Sequence, residues 1–242
     1  IYGIFYLAIF ILILSGVYSA NFKPAATCFD NKLNQNEEEV DCGGPCESCE
    51  IRSLQLPQAL RPVSVLKLSS GKAVLLAEVV NPNANYAATP VSYRFQIYNR
   101  TNSLIETIEG EEKIFPLEKR YLYEFISTRE DISRVVLEFF NPQWTKEDLN
   151  VSLSVTELET VVEGQKISAK GLVKNNSPFV TREVNAIAVI FDKFGFELFA
   201  SQATIGGLRG FEEKSFAVFF PSDPELVQKI DERATKVFFM PE

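Results

Sequence analysis

The chain has 242 residues, a hydrophobic fraction of 46% and a formal net charge of −8, with no histidine anywhere. That length holds one or two domains, and an acidic balance without any basic run excludes a phosphate-binding footprint for nucleic acid. The lack of histidine excludes Ser-His-Asp hydrolases, Cys-His proteases and His-bearing zinc enzymes, each of which needs an imidazole as base or ligand.

The opening segment, "IYGIFYLAIFILILSGVYSANFK", carries no charge before Lys23. About 20 apolar residues at 1.5 Å each reach across a hydrocarbon core of about 30 Å, so residues 1–22 are expected to form a transmembrane helix or signal anchor. A secretory signal cut after Ser19 or Ala20 is the alternative. A pilin-like helix is a third, although Phe5 stands where such helices carry an acid. Either main reading places the remainder outside the cytoplasm: cell membrane, single pass, bulk of the chain extracytoplasmic.

Residues 23–50 hold all four cysteines, spaced Cys28-x13-Cys42-x3-Cys46-x2-Cys49. An even count in an oxidising setting favours two disulfides, with three connectivities open. Zinc would want closely spaced pairs on both sides, and only the second pair is close. A redox Cys-x-x-Cys would open a helix in a βαβ setting, whereas "CESC" lies between "GGP" and a linker. Between the first two cysteines an acidic loop offers Asp30, Asn34, Glu37 and Asp41, beside Asn31, Asn36 and Glu38. These are weak calcium candidates, because the loop lacks the central glycine and the placed glutamate of an EF-hand. No other metal and no cofactor is expected.

After a linker at 51–64 the chain turns β-like and repeats itself, giving expected domains at 65–145 and 146–242. Lys72, Val79 and Asn81 align with Lys166, Val173 and Asn175; Leu104, Leu117 and Phe125 with Leu198, Leu208 and Phe216. "VSYRFQIYN" alternates as a half-buried strand, while "NAIAVIFD" is apolar on both faces and reads as a central strand covered on both sides. "STREDISRVVLEFFNP" and "SDPELVQKIDERATKVFFMP" each predict a short helix and a last strand. Thr128 with Asp131 and Ser222 with Glu225 serve as capping pairs, and Pro224 sits in the first turn.

Catalytic candidates are few, and none is assigned. Asp192 reads as a turn residue whose side chain accepts from backbone N–H groups. Glu111, Glu112, Glu212 and Glu213 read as solvated edge charges that discourage strand pairing. Gly206, Gly207 and Gly210 lack the ending of a phosphate loop. Trp144 is expected to pack between the two copies. Three glycosylation sequons begin at Asn99, Asn150 and Asn175, and Asn99 and Asn175 fall in turns that would leave them accessible.

"FQIYN" after a "VVNPN" strand end resembles the FxLYD signature of bacterial and archaeal extracytoplasmic β-sandwich domains, with Ile97 for Leu and Asn99 for Asp. The second copy carries "AVIFD", and "GLRGFEEKSFAV" resembles the family's later loop and strand. The cysteine segment resembles the C-x-D-G-x-x-N-x-x-E-x-x-x-D-C-G-G-x-C-x-x-C modules of prokaryotic surface proteins, with Lys32 where glycine is usual. The resemblance implies a mainly β chain: two tandem Ig-like β-sandwiches after the helix and the disulfide-rich segment. It implies a structural, adhesion or interaction role without catalysis. Expected partners are the membrane through residues 1–22 and other envelope or surface proteins, with no nucleic acid and no small-molecule substrate. An accessory subunit of a membrane complex or a pilin-like filament subunit is the alternative.

Overall fold

Residues 2–21, 27–127 and 131–241 are described by the structure, a computed structural model. The chain divides into two compact units, Ile1–Leu54 and Gln55–Glu242. The first contains α1 (Tyr2–Asn21), a cystine-linked loop and α2 (Cys49–Arg52).

No helix among the described residues is long and apolar enough to cross a membrane. This corrects the single-pass membrane localisation expected from residues 1–22. The unbroken apolar run, Ile4 to Leu14, has eleven residues, and Ser15 and Gly16 end it. At 1.5 Å per residue it covers about 16 Å, roughly half of the hydrocarbon thickness.

The second unit is built from antiparallel strands. In its first half these are β1 (Gln58–Ala59), β2 (Ser64–Lys67), β3 (Lys72–Val80), β4 (Ala87–Asn99), β5 (Leu104–Ile114), β6 (Lys119–Ser127), β7 (Ile132–Phe140) and β8 (Trp144–Thr145). β3 is central to one sheet, with β1 and β2 along one edge and β6 along the other. β4 is central to the next, between β5 and the pair β7 and β8. In the second half, β9 (Leu153–Glu163), β10 (Lys166–Asn175) and β13 (Glu213–Phe219) form a sheet centred on β10. A last sheet, centred on β11 (Glu183–Phe191), adds β12 (Glu197–Gly206) and β14 (Lys236–Pro241). The helix α3 (Pro224–Lys229) leads into β14.

The expected repeat is visible in the register. Val80 pairs with Lys119 as Lys174 pairs with Glu213. A bulge follows Ile97 opposite β5 and Ile190 opposite β12. The aligned landmarks Lys72/Lys166, Val79/Val173 and Asn81/Asn175 hold, and the later ones slip. Leu104 corresponds to Glu197, Leu117 to Phe211 and Phe125 to Phe219 by strand pairing. Loop insertions let an identical residue nearby stand in for the true counterpart.

Two cores explain the burial pattern. Ala73, Leu75, Ala77 and Val79 of β3 face Phe95 and Ile97 of β4. Val74 and Leu76, on the other face of β3, join Leu66 and the core of the second half, including Ile187, Val189 and Ile205. The β3 sheet is therefore covered on both faces, and four sheets stack in the order β4, β3, β11, β10 by central strand. "AIAVIF" is apolar throughout because β11 is likewise enclosed, with its buried run Ala186–Ile190.

"ISRVVLEFF" forms β7, the expected last strand, from Ile132 onward, and the helix start expected at Thr128 lies outside the described residues. Two expectations about local structure change. α3 is capped by Asp223, one residue beyond Ser222, with Pro224 at its first position. Trp144 does not lie between the copies. It pairs with Ala88 in β8 and packs on the first core.

Candidate functional site

The cysteines form two interleaved disulfides, Cys28–Cys46 and Cys42–Cys49, with Cα separations of 5.6 and 5.0 Å. The chain between them turns through left-handed residues at Asn31, Gln35, Asn36, Asp41, Gly43 and Gly44. A Cβ on Gly44 would land on the Asn36 carbonyl oxygen, so "CGGPC" needs its second glycine. Two groups, Cys28/Glu37/Cys46 and Glu39/Cys42/Cys49, bring ligand atoms within 4.8 Å. Their sulfurs are bonded to one another, and a metal needs thiolate.

The calcium candidates are brought together; the Asp30 and Asp41 carboxylates and Glu37 Oε2 accept from donors of the loop itself, while Asn34 Oδ1 is buried without a hydrogen-bond partner. Asp41 accepts from the amides of Asp30 and Asn31 at 3.0 Å. Asp30 accepts from the Lys32 amide at 3.0 Å and from Asn34 Nδ2 at 2.9 Å. Glu37 Oε2 accepts from the Asn34 amide at 3.0 Å, while Oε1 lies 3.3 Å from Cys46 Sγ, a cystine sulfur with no proton to give. The acidic loop thus supplies a polar core for a segment too short to bury an apolar one.

Of the sequons, Asn150 is exposed in the extended stretch before β9. Asn99 ends β4, where Oδ1 accepts from the amides of Thr101 and Ser103 at 3.0 and 2.9 Å. Asn175 is fully buried, and its Nδ2 donates to the carbonyls of Phe179 and Arg209 at 2.6 and 3.1 Å. The accessibility expected for Asn175 fails, because both amide hydrogens are committed inside the turn. Asn81 does the same in the first half, donating to Tyr86 and Ile114.

The Asn99 turn recurs at the end of β11. Asp192 Oδ1 accepts from the amides of Phe194 and Phe196 at 2.8 and 2.9 Å, as its sequence predicts. Asn102 and Gly195 take the same left-handed position, with φ of 59° and 84°. The two turns share geometry and differ in surface: Thr101 and Ser103 in the first correspond to Phe194 and Phe196 in the second, which are 86% and 70% exposed.

Arg120, an outwardly unremarkable residue of "KRYLYEF", is the largest fully buried side chain. Strand alternation places it inward with Leu122 and Ile126. It pairs with Glu112 at 2.9 Å and Glu118 at 3.3 Å. Burial pushes the Glu118 carboxyl above its usual range, and Arg120 pulls it partly back. Arg120 lines a cleft of about 520 Å³ between the two halves. Phe115, Leu149, Val151, Phe179 and Val180 give this cleft apolar walls, and Glu111, Glu112, Glu147 and Asp148 give it carboxylates. Glu111 and Glu112 were legible as edge charges; the cleft was not, since it forms only where the halves meet.

Polar pins hold the inner sheets together. Glu197 accepts from Arg61 at 2.6 Å and Ser64 at 2.7 Å. Asp223 accepts from the amide and hydroxyl of Ser69 at 2.8 and 2.7 Å while it caps α3. These bonds hold the Asp223 carboxyl below its usual range, the Ser69 hydroxyl contributing most.

No family model and no curated protein matches the chain. Among solved structures it is similar to red sea bream transglutaminase, at 12% identity and a TM-score of 0.24 over 79% of this chain and 30% of that one. It is similar to the Amycolatopsis orientalis exo-chitosanase CsxA, at 10% identity and a TM-score of 0.26 over 75% and 26% of the two chains. A third is the C-terminal globular domain of an oligosaccharyltransferase from Pyrococcus abyssi, at 12% identity and a TM-score of 0.20 over 75% and 46%. The chain spans less than a third of the first two proteins' length.

Proposed function

We propose that the chain is a non-catalytic structural or interaction protein. Its two halves are tandem Ig-like β-sandwiches of the FxLYD kind, carried behind a cystine module and working in an oxidising compartment. One observation carries the reading: the buried polar side chains Asn81, Asn175 and Asp223 are each engaged in tying strands, turns or layers together. An enzyme instead directs perturbed groups at a shared cavity where substrate sits. Interleaved disulfides support the oxidising setting, since reducing compartments do not maintain them. The resemblance of "FQIYN" and "AVIFD" to the FxLYD signature supports the sandwich assignment, and stacked antiparallel sheets are its architecture.

The test is crosslinking with mass spectrometry in the source cells. Reproducible crosslinks from residues 55–242 to another protein or to a second copy are the expected result. A chain that crosslinks to nothing and turns over a substrate would sink this reading.

A further inference from the structure

The Phe194–Phe196 turn has an internal control. The first copy makes the same turn, with the same Asx bonds and the same left-handed third residue, from Thr101 and Ser103. The backbone therefore does not require aromatics there. Two large apolar side chains, with exposed Lys193 beside them, project into solvent at one end of β11. Exposed apolar surface of this kind, framed by polar residues, marks a contact site.

The opposite end of the same strand carries a surface of complementary character. Val184 at the start of β11 pairs with Pro241, and Pro241 borders the cleft between the halves, as do Phe179 and Val180. That cleft combines apolar walls with the four carboxylates named above, against Lys113 and the already paired Arg120. Its volume of about 520 Å³ is in the range that accommodates anchoring side chains. Nine residues of strand at about 3.3 Å each separate tip from cleft, so one molecule cannot join its own.

We propose that the Phe194–Phe196 tip of one copy docks in the cleft between the halves of the next, with Lys193 facing the carboxylates at its rim. Tip and cleft are different patches, so the contact is heterologous and repeats head to tail. The partner is thus a second copy of this chain, and the assembly grows by addition. The inference rests on the interaction reading above and names its partner.

Sedimentation equilibrium of the full chain tests it, in one non-ionic detergent that covers α1 alike in every sample. The expected result is a mass that rises with concentration past that of a dimer. Phe194→Thr with Phe196→Ser, which copies the first turn, weakens association about tenfold or more, as loss of aromatic anchors does. Glu147→Lys with Asp148→Lys weakens it too, most at low salt. Both variants keep the circular dichroism and melting temperature of the parent. Mixed together, they form a one-to-one complex that stops at two copies, since one retains a cleft and the other a tip. Lys193→Glu weakens the parent and is rescued on the Glu147→Lys, Asp148→Lys background.

A closed dimer indifferent to both variants overturns the proposal. So does a monomer at every concentration, including one that binds phosphatidylserine vesicles through Phe194 and Phe196. A monomer that still crosslinks to another protein in cells sinks this inference alone and leaves the interaction reading standing.

Discussion

Asn81 and Asn175 show how one residue type fixes a repeat. Each is fully buried, and each closes the turn after a central strand by donating to two carbonyls and accepting from an amide two residues on. Alanine at either position strands those backbone groups, so Asn81→Ala and Asn175→Ala each cost about 1–3 kcal/mol, readable as a lowered urea midpoint. Asp223 titrates in the opposite sense to Glu118. Its folded pKa lies below 3.8, so its stabilisation is present above the ordinary carboxyl value and fades as pH falls through the folded one. Asp223→Asn therefore lowers stability at pH 7 by about 1.5–3 kcal/mol, the range for hydrogen bonds to charged groups, and the gap from the parent narrows towards pH 3. Burial raises the Glu118 carboxyl, so its contribution is present below the ordinary carboxyl value and is lost as pH rises through its folded pKa. The asparagines were legible as landmarks because identical turn residues recur at the strand end. Asp223 and Ser69 were not, since 154 positions separate them and only packing of the two halves brings them together.

Among the elements, β3 separates two jobs by side. Leu75 faces the first core and Leu76 the shared one, and both are essentially inaccessible to solvent. Leu75→Ala and Leu76→Ala each cost about 2–5 kcal/mol. Hydrogen exchange distinguishes them: Leu76→Ala loosens β12 across the layer boundary, and Leu75→Ala loosens β4 and leaves β12 protected. The enclosed strand β11 was readable because "AIAVI" has no polar side to give to water. β7 was legible as the last strand because "FFNP" closes the first copy as "FFMP" closes the second. The later landmarks slipped because single-residue identity says less about position than the hydrogen-bonded register does.

At the scale of the molecule, the two units depend on different forces. The cystine unit has little apolar interior, and its crosslinks span 18 and 7 residues. Reduction removes about 2–5 kcal/mol from such a unit. Dithiothreitol is expected to abolish protection in residues 27–54 while the melting of residues 55–242 stays unchanged, as followed by hydrogen exchange. The disulfides were legible from count and spacing, and their pairing was not, because four cysteines allow three patterns. The membrane anchor was overread: charge-free length alone suggested a span, whereas the apolar run within it is short.

The stacked order of the sheets has a mechanical corollary. β2 and β14 both belong to the two inner sheets, so tension applied between residues 64 and 241 loads the boundary those sheets share. Arg61, Ser64 and Ser69 cross that boundary to Glu197 and Asp223, acting as rivets at its margin. Under force the inner boundary parts first. The load then passes through residues 146–152, which join β8 of the sheet centred on β4 to β9 of the sheet centred on β10, so extension proceeds in two steps, with separation of the halves before unravelling of either.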